Sequence, residues 1–384
     1  MLDRRSFITS GSIGIMAGAF APRMAFARAA TPKRFVFIIQ RGAADGLGTI
    51  GAVGDPAFVG ARGDLAADVA NGTKLDAMFA LHPAMTTAAA LYGKGQALFA
   101  HAVASPYRDR SHFDGQNVLE TGGIGAYQLK DGWMNRLLGI VPTDDAKAIA
   151  VAATVPMALR GAREVASYAP SSLPDASGDL MARVTQLYRG DDQLHRLWGE
   201  AMQTRALTDD LAKDNGRNAA ATGALAARLL APANGARIAT IETGGWDTHA
   251  GQRGRLAQQL KGLDAMLSAL QTGLGPVWDD TLVLVATEFG RTVAVNGTGG
   301  TDHGTGTATM LFGGAVKGGR VLADWPGLAT ANLYEARDLK PTTQLDALIG
   351  GAVADHFAVD PSRAMTALFP ASQRTAAIGG LLRV

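Results

Sequence analysis

Apolar and polar positions along the chain alternate between short β-branched runs and longer stretches with helical spacing. Arg34-Phe-Val-Phe-Ile-Ile39, Ala97 to Val103, Ala148 to Ala153, Arg237-Ile-Ala-Thr-Ile-Glu242, Thr281 to Thr287 and Thr309-Met-Leu-Phe312 read as buried strands. Between them, Ala84 to Tyr92, Ser111 to Thr121, and Leu256 to Leu270 read as helices. The last carries Leu256, Leu260, Leu263, Leu267 and Leu270 on one face. Gln344 to Phe357 closes the pattern as another helix. Alternating strands and helices predict an α/β fold, a mostly parallel sheet flanked by helices. The helix at Leu256 serves as a crossover, so the strands before and after it should be parallel. Residues 170–232 differ. They open with Pro170-Ser-Ser-Leu-Pro174 and run helical and polar, with Leu180, Val184, Leu187, Leu194 and Leu197 on one face, then an Ala-rich helix at Ala219 to Leu230. This reads as a helical insertion or cap, or equally as ordinary core-packing helices.

The amino terminus reads as an address. Asp3-Arg-Arg-Ser-Phe-Ile8 carries a twin arginine, followed by a weakly apolar Gly/Ala segment and two small-x-small cleavage sites around Ala27. We expect residues 1–29 to be a twin-arginine export signal, with a mature domain over 30–384 in the periplasm or secreted. The alternative is a plain secretory signal or an uncleaved anchor. The apolar segment is short and broken by Gly, Ser and Pro22, so no transmembrane segment is expected after signal removal. The chain has no cysteine, which suits folding in a reducing cytoplasm before export. A net charge of +2 without a basic stripe argues against nucleic acid as a partner. Oligomeric state is not legible from the sequence.

Candidate chemistry gathers in three loops. Thr243-Gly-Gly-Trp-Asp-Thr-His249 follows one strand, Glu288-Phe-Gly-Arg-Thr292 follows another, and Thr301-Asp-His-Gly304 precedes a third. Ligands in open α/β sheets collect at the carboxyl ends of strands, so Asp247, His249, Glu288, Asp302 and His303 should converge there. Carboxylates mixed with imidazoles suit a divalent metal. Each residue also has a plainer reading: Asp45, Asp247 and Asp302 as turn formers, Ser111 as a helix cap, and Arg108, Arg110 and Arg291 as ion-pair partners.

Together with Arg41-Gly-Ala-Ala-Asp-Gly-Leu47 and Arg110-Ser-His-Phe113, these motifs resemble the DUF1501 family over nearly the whole mature chain. That family is similar to the alkaline phosphatase superfamily, which includes sulfatases and cofactor-independent phosphoglycerate mutases, and the resemblance implies a three-layer α/β/α sandwich, alkaline phosphatase-like, with a helical insertion. The resemblance implies metal ligands at strand ends: Asp45, Asp247, His249, Glu288, Asp302 and His303, holding one or two ions (zinc, manganese, calcium or magnesium). It implies a nucleophile, Ser111, at a helix start, with Arg110 and Arg291 on the charge of a small anionic ester substrate. One departure stands out. Phe289 occupies the position where the superfamily has His after the carboxylate, so the second metal site loses a ligand unless Asp302 supplies it. The implied function is an exported metal-dependent hydrolase of phosphate or sulfate esters. The alternative is a non-catalytic periplasmic member of the fold that binds a metal, a glycan or a protein.

Overall fold

The computed structural model describes residues 31–141, 147–169, 178–208 and 218–383. The expected signal, residues 1–29, lies outside the described residues. The core is a nine-stranded sheet whose strands, in chain order, are β1 (Arg34–Gln40), β2 (Ala97–Ala104), β3 (Ala148–Val151), β4 (Ala166–Ser167), β5 (Ile238–Thr243), β6 (Thr281–Thr287), β7 (Thr307–Phe312), β8 (Arg320–Leu322) and β9 (Thr343–Gln344). Across the sheet the order is β8-β2-β7-β6-β1-β5-β3-β4, with β9 also pairing β2. Only β7 runs against the others. The fold is therefore α/β with a mostly parallel central sheet. β7 reverses because the loop from Glu288 to Gly306 never leaves the sheet edge where β6 ends. Its two arms meet at an antiparallel bridge between Arg291 and His303.

Strand alternation builds two cores. In β1 and β6, Phe35, Phe37, Ile39, Leu282, Leu284 and Ala286 face one side, where Trp133 and the helix Leu345–Phe357 pack. Val36, Ile38, Val283 and Val285 face the other side, together with Ala239 and Ile241 of β5. There the predicted leucine stripe of the helix Gln252–Leu274 is buried, and so are Leu225 and Leu229 of the helix Ala219–Leu230. Burying both faces of the central strands accounts for their nearly unbroken apolar runs. Elsewhere in the 170–232 region, the helices Gly178–Leu187 and Asp192–Thr208 leave Leu180, Leu187, Leu194 and Leu197 exposed. A small sheet of Ile50–Gly51, Ala80–Leu81 and Thr73–Lys74 was not legible, because two-residue strands carry no periodicity.

The register places the functional loops. β5 and β6 flank β1, with Gln40 opposite both Thr243 and Thr287. The loops that start at Arg41, Gly244 and Glu288 therefore leave the sheet side by side. They form a crevice at its carboxyl edge, where parallel α/β sheets bind ligands. Among the described residues, no helix is long and apolar enough to cross a membrane.

Candidate metal centre

Asp247 lies at the middle of the crevice, and three imidazoles point at its carboxylate. His249 Nε2 is 3.0 Å from Oδ1, His303 Nε2 is 3.2 Å from Oδ1, and His112 Nε2 is 3.4 Å from Oδ2. The Nε2 atoms of His249 and His303 are themselves 3.0 Å apart. Ligand atoms of His112, Asp247 and His303 all fall within 4.8 Å of one another.

The far nitrogen of each ring has an acceptor. His303 Nδ1 donates to the carbonyl of Arg110 at 3.0 Å. His112 Nδ1 lies 2.8 Å from Glu288 Oε1, and His249 Nδ1 lies 3.2 Å from Asp302 Oδ1. A carbonyl or carboxylate can only accept, and Asp247 is a carboxylate too, so each ring lies between two acceptors, one behind Nδ1 and Asp247 before Nε2. Three Nε2 atoms and a carboxylate share one small space. His112 Nε2 is buried there without a hydrogen-bond partner. Protons on the rings, or a metal among them, would satisfy such a group. Imidazoles held from behind by carboxylates and carbonyls are the usual arrangement around a bound metal.

The electrostatics follow from the same contacts. The hydrogen bond to Glu288 raises the His112 pKa above its ordinary value, against the opposing effect of burial. Burial lowers that of His303, and the neighbouring His112 lowers it further. Burial pushes the Glu288 carboxyl up, but bonds from His112, Gln116 and the Gly42 amide outweigh it and hold the acid ionised. Asp247 is likewise pushed up by burial and brought down, on balance, by Arg291 at 2.6 Å.

Local structure explains how each group arrives. Asp247 and His249 leave β5 through Gly244-Gly245. Gly42, at φ +118°, lets the β1 loop run against them, since a Cβ there would stand 2.7 Å from the Asp247 amide nitrogen. His303 is held beside Arg291 where Gly304 passes so close that a Cβ would meet the Arg291 carbonyl carbon at 2.4 Å. His112 is the first residue of the helix His112–Thr121, which Ser111 precedes and left-handed Gly122 ends. One helical turn on, Gln116 bonds the same Glu288 oxygen as His112, so both residues face the centre. The His112 ring stacks on Phe289, centroids 5.2 Å apart. An imidazole thus reaches the centre from the helix, against the very residue that stands where the resemblance led us to expect a histidine.

The structure sorts the expected site residues. Asp247, His249 and His303 share the central space. Glu288 and Asp302 stand behind rings and hold them. Ser111 sits at the helix start, where its side chain makes no capping bond and meets the Tyr107 phenol. Asp45 is not brought to the cluster. It caps the short helix Gly46–Thr49, with Oδ1 accepting from Gly48 at 3.1 Å, and its other oxygen is taken by buried Arg62 and by Gln252. The guanidinium of Arg291 is buried on Asp247 and Thr301, and that of Arg110 is engaged by Asp338 and Glu335. Sequence reasoning missed His112, whose only signal was its place in Arg110-Ser-His-Phe113. Of the other histidines, His101 and His356 are buried on backbone carbonyls, and burial lowers their pKa values to about 4 and about 3.

The chain belongs to the family described as "Protein of unknown function (DUF1501)", whose model matches residues 62–369. No curated protein matches it.

Removing Asp45 would strand Arg62, whose guanidinium is fully buried. Asp45→Ala should therefore cost about 3–5 kcal/mol of stability, measured by urea unfolding, because it leaves an uncompensated buried charge. The same variant should bind zinc as the parent does. A large loss of zinc affinity with unchanged stability would put Asp45 in the centre instead.

Proposed function

We propose that this protein is an exported, metal-dependent hydrolase of phosphate or sulfate esters, built on a fold like that of the alkaline phosphatase superfamily. The observation that carries the reading is the convergence of three inward Nε2 atoms on the Asp247 carboxylate, with every Nδ1 held from behind. His112, Asp247, His249 and His303 would hold one divalent ion. Three imidazoles and a carboxylate are a donor set suited to zinc. A bound ion supplies Lewis-acid polarisation of an ester oxygen and acidifies a nearby hydroxyl or water.

The remaining roles belong to the chain's own residues. Ser111 is the candidate nucleophile. It opens the ten-residue helix that carries His112, and the partial positive charge at that helix end favours an oxyanion and a bound phosphate or sulfate. Its amide donates to Tyr107 Oη at 3.2 Å, which fixes the turn before the helix. Arg291 keeps Asp247 ionised and oriented. The twin arginine, Arg4 and Arg5, supports export, and replacing both with Lys should keep the protein out of the periplasmic fraction. Undiminished export of that variant would remove this part of the reading.

One observation favours a second reading. Four protein ligands make a closed set, and closed sets are the pattern of structural sites, whereas catalytic sites keep a position open. This supports a non-catalytic member of the fold that binds a metal, a glycan or a protein.

Zinc titration combined with turnover of an aryl phosphate and an aryl sulfate decides between them. The hydrolase reading expects one bound ion, at least about tenfold weaker binding in His303→Ala, and turnover that Ser111→Ala abolishes while zinc content stays. Bound zinc with no turnover of either ester would shift the conclusion to the binding role. Absence of stoichiometric metal would refute both metal readings.

A further inference from the structure

We infer that Asp338 is a positioning residue for this centre, the hub that keeps the loops bearing His112, Arg291 and His303 in one frame. The inference rests on the metal reading given above, but its geometry stands on separate contacts. Asp338 is wholly buried. Its Oδ2 accepts from Arg110 Nε at 2.9 Å, from Arg110 Nη2 at 2.8 Å and from Thr305 Oγ1 at 2.8 Å. Its backbone forms an antiparallel bridge with Thr292. Arg110 lies two residues before His112, Thr305 two residues after His303, and Thr292 directly after Arg291. One carboxylate with its own backbone thus ties the turn before His112 to both arms of the loop from Glu288 to Gly306.

The tie to His303 is direct. Arg110 has φ +59°, a left-handed conformation that a residue with a side chain adopts only under constraint. Its guanidinium is held by Asp338 Oδ2, which accepts from both Nε and Nη2. In this conformation the Arg110 carbonyl accepts the His303 Nδ1 proton, which leaves Nε2 as the inward lone pair. Neighbouring Arg337 adds a bond from Nη2 to the His303 carbonyl. The turn that delivers Asp338 is itself constrained. Tyr334 and Asp338 exchange both backbone hydrogen bonds, at 2.9 and 3.0 Å, around Glu335 and Ala336, which have φ of +52° and +51°. Asp338 Oδ1 is buried without a hydrogen-bond partner, with Arg337 Nε at 3.7 Å. The Glu335 contact to Arg110 is exposed and screened, so it contributes little.

The test uses the full-length protein labelled with [15N]histidine. Long-range 1H–15N spectra of the metal-free form read the His303 tautomer. The parent should show the proton on Nδ1. Asp338→Asn should show a mixture or a shift to Nε2, and zinc affinity should fall at least about tenfold, as for lost groups that orient a ligand. Arg110→Lys keeps the charge but has one nitrogen in place of the two that meet Asp338 Oδ2, so it should move both readouts in the same direction. Glu335→Gln should leave zinc affinity within about twofold. If Asp338→Asn fails to fold, Arg110→Lys and Thr305→Val carry the test. An unchanged His303 tautomer in these variants overturns the inference, even where zinc affinity drops along with stability. Because the tautomer is read without metal, a parent protein that binds no zinc would sink the metal reading and still leave the role of Asp338 decided by the spectra.

Discussion

Three imidazole nitrogens crowd one carboxylate in a small space, each within 3.4 Å of an Asp247 oxygen. The constraint is set from outside that space. Glu288, Asp302 and the Arg110 carbonyl accept the Nδ1 protons and so turn each Nε2 inward. Much of the surrounding structure serves this arrangement. The parallel register of β1, β5 and β6 brings the loops side by side, glycines let their backbones approach, and Arg291 holds Asp247 ionised beneath them. Behind the rings stand wholly buried Glu288, the part-buried Arg110 carbonyl and exposed Asp302.

Much of the fold was legible because its signals are local. The β-branched runs, the leucine stripe at Leu256 to Leu270 and the Gly122 stop each depend on a few adjacent residues, and each appears close to where it was expected. The convergence of Asp247, His249 and His303 was legible for a related reason. Residues just past the ends of buried strands have nowhere else to go. What stayed hidden depends on contacts between distant segments. His112 comes from a helix separated by well over a hundred residues from its partners Asp247, Glu288 and His303. The carboxylates nearest to it in sequence, Asp109 and Asp114, are not the ones it meets.

The carboxylates show a second limit. Sequence places an acid near a site but does not say which way its oxygens point or what claims them first. Glu288 arrives at the centre yet spends its oxygens on the His112 ring, the Gln116 side-chain amide, the Gly42 N–H and the Thr287 hydroxyl, and Asp302 on the His249 ring and the Asn296 side-chain amide. Asp45 sits in a loop of the same edge, and Arg62 and Gln252 take it. Arg110 shows the same thing for a cation. Its guanidinium is committed to Asp338, while its backbone carbonyl serves the centre. Phe289 takes part through packing, because its ring is the surface on which His112 lies.

Anomalous diffraction at the zinc edge, from crystals of the full chain grown with zinc, tests the central claim most directly. The account predicts one peak bonded to the Nε2 atoms of His112, His249 and His303 and to the Asp247 carboxylate, at about 2.0–2.2 Å. Glu288 and Asp302 should remain behind the rings. A peak coordinated by Asp45 or Glu288, or no ordered ion with the three imidazoles dispersed, would contradict it.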